Sequence, residues 1–285
     1  MKNEVKEKGM QLVFLLAACA SIIAVLLICV FMFGNGLPAM KQIGFSEFLT
    51  GREWRPLNNI FGIFPMIVGS IYVTIGAIIL GVPVGILCAI YMARFCSPKM
   101  YKILKPSIDL LAGIPSIVYG FFGLVVIVPA MQNIFGENGK GILTASIMLG
   151  IMILPTIISV SESNIRAVPE SYYEGSLALG ATHERSVFFT VVPAAKSGIT
   201  AAVILGVGRA IGETLAVSMI VGNQPVLPES ITSGVRTMTT NIVLEMGYAA
   251  GLHREALIAT GVVLFAFILI INLLFSLIKR REAKA

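Results

Sequence analysis

Six long apolar runs divide the chain: 10–33, 65–93, about 107–131, about 141–160, about 197–221 and 255–278. A helix needs about 20 apolar residues to cross a hydrocarbon core of about 30 Å, and each run is near or beyond that length. The first, 24 residues long, would extend about 36 Å at ~1.5 Å per residue. Apolar character continues for half a span past Leu16-Ala17-Ala18-Cys19. A cleaved signal has a shorter core of about 7–15 residues, so the first run is read as a retained span. The third run is punctuated by Gly113, Pro115, Gly120, Gly123 and Pro129, and the fifth by Gly198, Gly206, Gly208 and Gly212. Such residues are tolerated in membrane helices where neighbours satisfy the backbone or where helices approach closely. The pattern predicts an all-α polytopic membrane protein with six transmembrane helices.

The polar segments carry the remaining information. Residues 34–64 hold Phe45, Phe48, Leu49 and Trp54 beside Arg52, Glu53 and Arg55, a mixture that suits a membrane–water interface and predicts an anchoring loop without a ligand role. A turn over 132–140 joins the third and fourth spans. Residues 161–196 contain Pro169, suited to a first helical position, Glu170 and Glu174 near a positive helix start, and Gly180, able to close the helix in a left-handed conformation. A short helix over about 169–179 follows. Thr182 can cap a second helix with Glu184 in its first turn, and Pro193 begins the next span. A compact helix-turn-helix on one side of a membrane bundle suits docking to a partner on that side. The chain thus divides into residues 1–64, comprising tail, first span and external segment, and residues 65–285, a five-helix core carrying the loop 161–196.

Composition agrees with the pattern: 56% of the residues are hydrophobic and 13% charged, against about 45–50% and 25% in soluble domains. The net charge of +6 is therefore read by position and not as a nucleic-acid signal. Of 21 Lys and Arg, 14 fall on the side of the two tails, the 94–105 cluster and the Glu174 loop, 6 fall on the other side, and Arg209 lies within a span. Membrane proteins concentrate Lys and Arg in cytoplasmic loops, which places both termini and the Glu174 loop in the cytoplasm. Cys19, Cys29, Cys88 and Cys96 lie in or at the ends of apolar runs without ligand spacing and read as free thiols. His183 and His253 are single residues in polar stretches, and no metal site or proton relay is assigned to them. The chain has no Walker-type phosphate loop, so any ATP hydrolysis belongs to another chain.

Arg209 and Glu213 sit within the fifth run four residues apart, so a continuous helix would put them on one face, able to meet. Charges at that depth are costly and usually face a bundle interior or a water-filled path. Arg209 offers a planar fork suited to phosphate-type oxygens, and Glu213 could hold or moderate it; a structural ion pair is the other reading. Asp109, at the start of the third run, reads as a helix-start carboxylate. Thr237, Thr239, Thr240 and Asn241 could line an outer vestibule or simply solvate a loop.

Glu174, Gly180 and Pro193 resemble the EAA loop of ABC-importer permeases, whose pattern is Glu-Ala-Ala, three residues, Gly, nine residues, Ile-x-Leu-Pro. Here Gly175-Ser176 replace the alanines, and Thr190 and Val192 replace Ile and Leu. The string 206–214, Gly-Val-Gly-Arg-Ala-Ile-Gly-Glu-Thr, resembles the fifth-helix motif of phosphate-importer permeases. Trp54-x-Pro56 with Phe61-Gly62-Ile63-x-Pro65 is similar to the PstC-type subunits of those importers, as are Gly222-Asn223, Thr237-Met238-Thr239 and Glu245-Met246-Gly247. The resemblance implies a MetI-like type I permease fold in the bacterial inner membrane. It also implies a phosphate path lined by Arg209, Glu213, Thr237 and Thr239, and an ATPase-coupling loop carried by Glu174, Gly180 and Pro193. The implied partners are a second, PstA-type permease, a PstB-type ATPase dimer and an external PstS-type phosphate-binding protein. ATP and magnesium would act in the ATPase, with no cofactor or catalytic residue in this chain. A permease for molybdate or sulfate is the nearest rival. An ion-coupled transporter is a further one, disfavoured by the absence of repeats and of broken-helix pairs in the sequence pattern.

Overall fold

The computed structural model describes residues 2–136 and 139–282. Lys284 of the basic tail and residues 137 and 138 of the predicted turn lie outside them. Helix α1 (Lys2–Ile43) carries the first apolar run and continues well past Phe33, ending at Gly44, whose φ of 102° is open to glycine. After α2 (Phe45–Thr50) comes a small antiparallel hairpin of β1 (Trp54–Arg55) and β2 (Ile60–Phe61), with Trp54 opposite Phe61. Helix α3 (Phe64–Ile90) begins with Pro65 where the missing N–H costs nothing, and ends in a π-helical turn, Tyr91–Phe95. Ser97 caps α4 (Pro98–Gly113) by accepting the Met100 N–H at 3.3 Å. Then come α5 (Ser116–Phe122), a second π-helical turn, α6 (Val128–Phe135) and α7 (Ile142–Arg166). Short helices α8 (Glu170–Ala178), α9 (His183–Ser186) and α10 (Val192–Ala194) lead into α11 (Lys196–Gly212). The chain closes with α12 (Leu215–Ile220), α13 (Met238–Glu245) and α14 (Gly251–Glu282).

Among the described residues, five continuous helical stretches are long and apolar enough to cross a membrane, and there are six if the pair His183–Ala194 and Lys196–Gly212, bent by 69°, is one span. The six-span, all-helical expectation therefore holds. At the centre α3 lies against α7 through small residues. A Cβ on Gly81 would stand 2.8 Å from the Gly150 carbonyl, and one on Gly85 would stand 2.8 Å from Ile157. Gly206 brings α11 equally close to Ile157 from the other side. Close backbone approach at small residues is how membrane helices gain packing without a hydrophobic driving force. Met148, Met152, Ile153 and Ile157 are buried in this seam. A second cluster, around the hairpin, joins Phe48, Trp54, Phe61, Met66 and Leu257, and a third joins Met92, Ile108, Ile165, Val187 and Val191. Helix α1 meets the bundle near its C-terminal end, where Phe33 packs edge-on to Phe265 at 5.9 Å and Gly36 sits against Ala259. Its earlier apolar residues from Met10 to Ile28 are exposed.

Three sequence expectations need correction. The third span does not begin at residue 107. Residues 98–113 form α4, and the span is 116–135. Pro115 causes the break: the residue before a proline is driven from helical geometry, and Ile114 has ψ 127°. Asp109 consequently lies on α4, paired with Lys105 at 3.6 Å. The fifth span is also broken, because α11 stops at Gly212 and Glu213 is extended with ψ 134°. Trp54 is not an interfacial anchor; it is buried, with 6% exposure, inside the hairpin cluster.

Candidate functional site

The predicted loop is narrower than 161–196, because α7 runs on to Arg166. Glu162, buried near the end of α7, accepts from Tyr101 Oη at 3.0 Å and Lys105 Nζ at 3.4 Å on α4, and pairs with Arg166 on its own helix. Arg166 also donates to the Met92 carbonyl at 2.8 Å. These bonds tie α4 and the end of α3 to α7. From there α8 begins at Glu170, with Pro169 just before it at the N-cap (ψ 134°) and not at the first helical position expected, and Arg94 binds Glu170 at 2.8 Å. Gly180 takes the predicted left-handed conformation, φ 87°, and its N–H reaches the Leu177 carbonyl at 2.8 Å. Thr182 accepts the Arg185 N–H at 3.3 Å and caps α9. His183 Nδ1 lies 2.7 Å from Tyr173 Oη, and its ring packs edge-on to Phe95. No residue of α8 is buried; Glu174 is exposed, as are Tyr172, Leu177 and Leu179. A folded, capped helix with a carboxylate and apolar side chains open to solvent is a docking surface in form. Pro193 lies in α10, at the elbow where the 69° bend begins.

The second site is within the bundle. The breaks in the third and fifth spans are neighbours, since Gly120 of α5 admits Ala216 of α12, to which a Cβ would come within 2.8 Å. Tyr119 Oη donates to the Leu111 carbonyl at 2.8 Å, bridging the break between α4 and α5. Irregular backbone at membrane depth survives only where protein covers it or where it lines a water-filled cavity. Arg209 lies one turn before the second break, half-buried, and its Nη1 donates to Thr156 Oγ1 on α7 at 3.2 Å. The expected meeting with Glu213 does not occur, because the helix that would align them ends between them. The Glu213 carboxylate instead accepts the N–H groups of Thr214 at 3.1 Å and Ala216 at 3.2 Å, capping α12. Among the described residues, no carboxylate is within salt-bridge distance of Arg209, so its charge has only a neutral hydroxyl as partner.

Thr237 and Thr239 do not sit in an exposed loop. Thr237 caps α13 in a reciprocal arrangement with Thr240, and Thr239 Oγ1 donates to the Glu213 carbonyl at 3.0 Å. With Ser70 and Thr74 they face a small internal pocket against Glu213. The structure thus brings Glu213, Thr237 and Thr239 together and holds Arg209 apart, on α11 and bonded to Thr156 of α7. Thr240 and Asn241 are fully buried.

The sequence gives no signal for Thr156, or for the polar hub under the outer hairpin. There Glu245 accepts from Trp54 Nε1 at 2.8 Å and Arg236 Nη1 at 2.5 Å, with His253 Nε2 at 2.8 Å. Arg236 also reaches the Asn223 carbonyl and Asn241. Burial by itself pushes the Glu245 carboxyl up. The bonds from Trp54, His253 and Arg236, with the charge of Arg236, outweigh it and hold the group below its ordinary value. His253 stands among Trp54, Phe61 and Tyr248. No group of three or more His, Cys, Asp or Glu among the described residues could hold a metal ion.

Residues 81–284 match the family model described as "Binding-protein-dependent transport system inner membrane component". The "Probable ABC transporter permease protein YqgH" of Bacillus subtilis is 42% identical, covering 92% of this chain and 89% of that protein. The "Phosphate transport system permease protein PstC" of Mesorhizobium japonicum is 33% identical over 89% of this chain and 84% of its own. Among solved structures, a chain of a bacterial ABC transporter involved in alginate import superposes with a TM-score of 0.65 at 17% identity, over 94% of this chain and 95% of that one. A chain of the MetNI methionine ABC transporter in an inward-facing conformation gives 0.58 at 21% identity, over 81% of this chain and 99% of that one. These neighbours carry the MetI-like permease fold. The chain belongs to the inner membrane components of binding-protein-dependent transport systems, a family of multi-pass ABC-importer permease subunits and not of enzymes.

Proposed function

We propose that this chain is the PstC-type permease subunit of an ATP-driven phosphate importer. In this reading it forms the translocation path with a PstA-type permease. A PstB-type ATPase dimer, the site of ATP and magnesium chemistry, docks on the exposed face of α8 around Glu174 and Gly180. A PstS-type binding protein delivers phosphate from outside. Both termini are cytoplasmic, by the Lys and Arg bias. Pro193, at the elbow between the loop and α11, connects docking to the helix that bears Arg209. The relatives named as phosphate permeases support the substrate.

The observation that carries the reading is the state of Arg209: a guanidinium within a span, half-exposed beside two broken helices, hydrogen-bonded to a neutral hydroxyl and with no carboxylate in salt-bridge reach among the described residues. Dehydrating an anion is the main barrier to its crossing, and an uncompensated cation on the path lowers it. A cation already paired with a carboxylate would have little left to offer. Glu213, Thr237 and Thr239 shape the path by fixing the start of α12.

The test is uptake of labelled phosphate at low concentration by cells lacking this chain, with wild type or Arg209→Ala restored. Uptake restored by wild type, competed by phosphate but not by molybdate or sulfate, and lost in Arg209→Ala with assembly intact supports the reading. Competition by molybdate or sulfate instead transfers the assignment to that oxyanion. Full uptake by Arg209→Ala refutes the role of the arginine.

A further inference from the structure

The bond between Arg209 and Thr156 deserves a functional account, because its partner is an unusual choice for an arginine inside a membrane protein. Buried guanidinium groups are ordinarily paired with carboxylates, and Glu213 is only one turn away in sequence. The fold spends Glu213 on capping α12 and gives Arg209 a hydroxyl on a different helix.

That hydroxyl is well fixed. Thr156 stands between Pro155 and Ile157 in the interior of α7, and both of those neighbours are buried. Ile157 is wedged between Gly85 of α3 and Gly206 of α11; a Cβ on either glycine would come to 2.8 Å from it. The separation of α7 and α11 is therefore set one turn from Arg209 and one residue from Thr156. A threonine hydroxyl has two acceptor sites, and accepting from a guanidinium cancels none of the positive charge. An arginine offers five N–H donors, so one bond at Nη1 fixes the direction of the fork while the others remain for an anion.

We propose that Thr156 is a positioning residue for Arg209. It holds the guanidinium aimed across the path at an oxyanion and, being neutral, leaves its charge undiminished. The proposal rests on the anion-compensating role given to Arg209 above. Preorganised donors of this kind need no rearrangement when the anion arrives. Thr156 does not itself have to touch the substrate.

Two pairs of variants test this in the assembled importer, reconstituted with its ATPase and binding protein and assayed with labelled inorganic phosphate. Thr156→Ser keeps the hydroxyl and loses a methyl; Thr156→Val keeps the shape and loses the hydroxyl. Serine should retain uptake within about twofold, whereas valine should lose about tenfold, the scale of a hydrogen bond to a charged group. A packing role would give the opposite order. Thr156→Asn supplies a neutral acceptor and Thr156→Asp a charged one of the same shape. Aspartate would hold the arginine at least as firmly but cancel its charge, so uptake should fall at least tenfold below that of the asparagine variant. Equal uptake by the Asn and Asp variants, or undiminished uptake by Thr156→Val, overturns the proposal. Co-purification of the partners confirms assembly in each case, and the Ser and Asn variants keep the test decisive if Val or Asp fails to assemble. Arg209→Ala separates the two levels: full uptake there overturns the role of Arg209 and this proposal with it. Loss of uptake there, with Thr156→Val unaffected, overturns this proposal alone.

Discussion

Glu245→Ala isolates the polar hub beneath the β1–β2 hairpin. The substitution leaves Trp54 Nε1, Arg236 and His253 facing a place with no acceptor, and Glu245 itself is only 7% exposed. Removing one partner from a buried charged pair costs about 3–5 kcal/mol. With an unfolding entropy of about 2.1 cal/mol/K per residue, a chain of 285 residues should lose about 5–8 °C in melting temperature. The assay is thermal unfolding of the detergent-solubilised protein followed by tryptophan emission. Trp54 is the sole tryptophan, so the signal comes from the hub. The pH dependence follows from the depressed carboxyl. A group held below its ordinary value stabilises the fold fully above that value, 4.5, and the contribution is lost as the pH falls through the lower folded value. The variant should therefore lack this part of the acid limb seen in wild type. A melting temperature within about 1 °C of wild type at neutral pH would refute the reasoning, because it would mean the hub contributes less than about 1 kcal/mol.

Three further outcomes are expected. Gly180→Val forces a β-branched residue into the left-handed region at φ 87°, at about 1–2 kcal/mol; the ATPase should co-purify poorly while the melting temperature of the permease stays within a few degrees. Gly81→Leu drives a side chain into the Gly150 carbonyl and Ile153, costing about 1–3 kcal/mol or more, and should lower the melting temperature and the yield of folded protein together. Labelling of single cysteines introduced by Leu57→Cys and Glu174→Cys should occur from outside and inside the cell respectively; the reverse would overturn the orientation.

The number of spans was legible because each needs only a sufficient apolar length, and the docking helix because its signals are local. Pro169, Gly180 and Thr182 act within a turn of where they stand; Gly180 and Thr182 do so as expected, and Pro169 is off by one residue, at the N-cap. What could not be read depends on partners distant in sequence. Trp54 beside Arg52, Glu53 and Arg55 looks interfacial until Glu245, 191 residues on, is known to receive its N–H. The Arg209–Glu213 pairing failed for a related reason. Four-residue spacing implies contact only in an unbroken helix, and the glycine-rich fifth run contains no proline to announce its break. Pro115 did announce the break in the third run, but the apolar residues on both sides of it read as one span. Thr156 carries no signal at all, since one threonine in a membrane helix is unremarkable without its neighbour.

The bent helix pair that ends in α11 has a mechanical consequence. Taken as a rigid body pivoting at Ala195, it is a crank with two arms: 12 residues from His183 to Ala194, about 18 Å long, and the stretch from Lys196 to Arg209, about 20 Å long. Arms of nearly equal length neither magnify a stroke nor reduce it; with a bend of 69° the arms stand at more than a right angle to one another, and the strokes at their ends differ in direction by that angle. A rotation of about 5° would displace the arginine by a little under 2 Å, a distance comparable to the shifts of packed helices in switching proteins. A push on the arm that starts at His183 would thus emerge at Arg209 with the same amplitude, turned through more than a right angle.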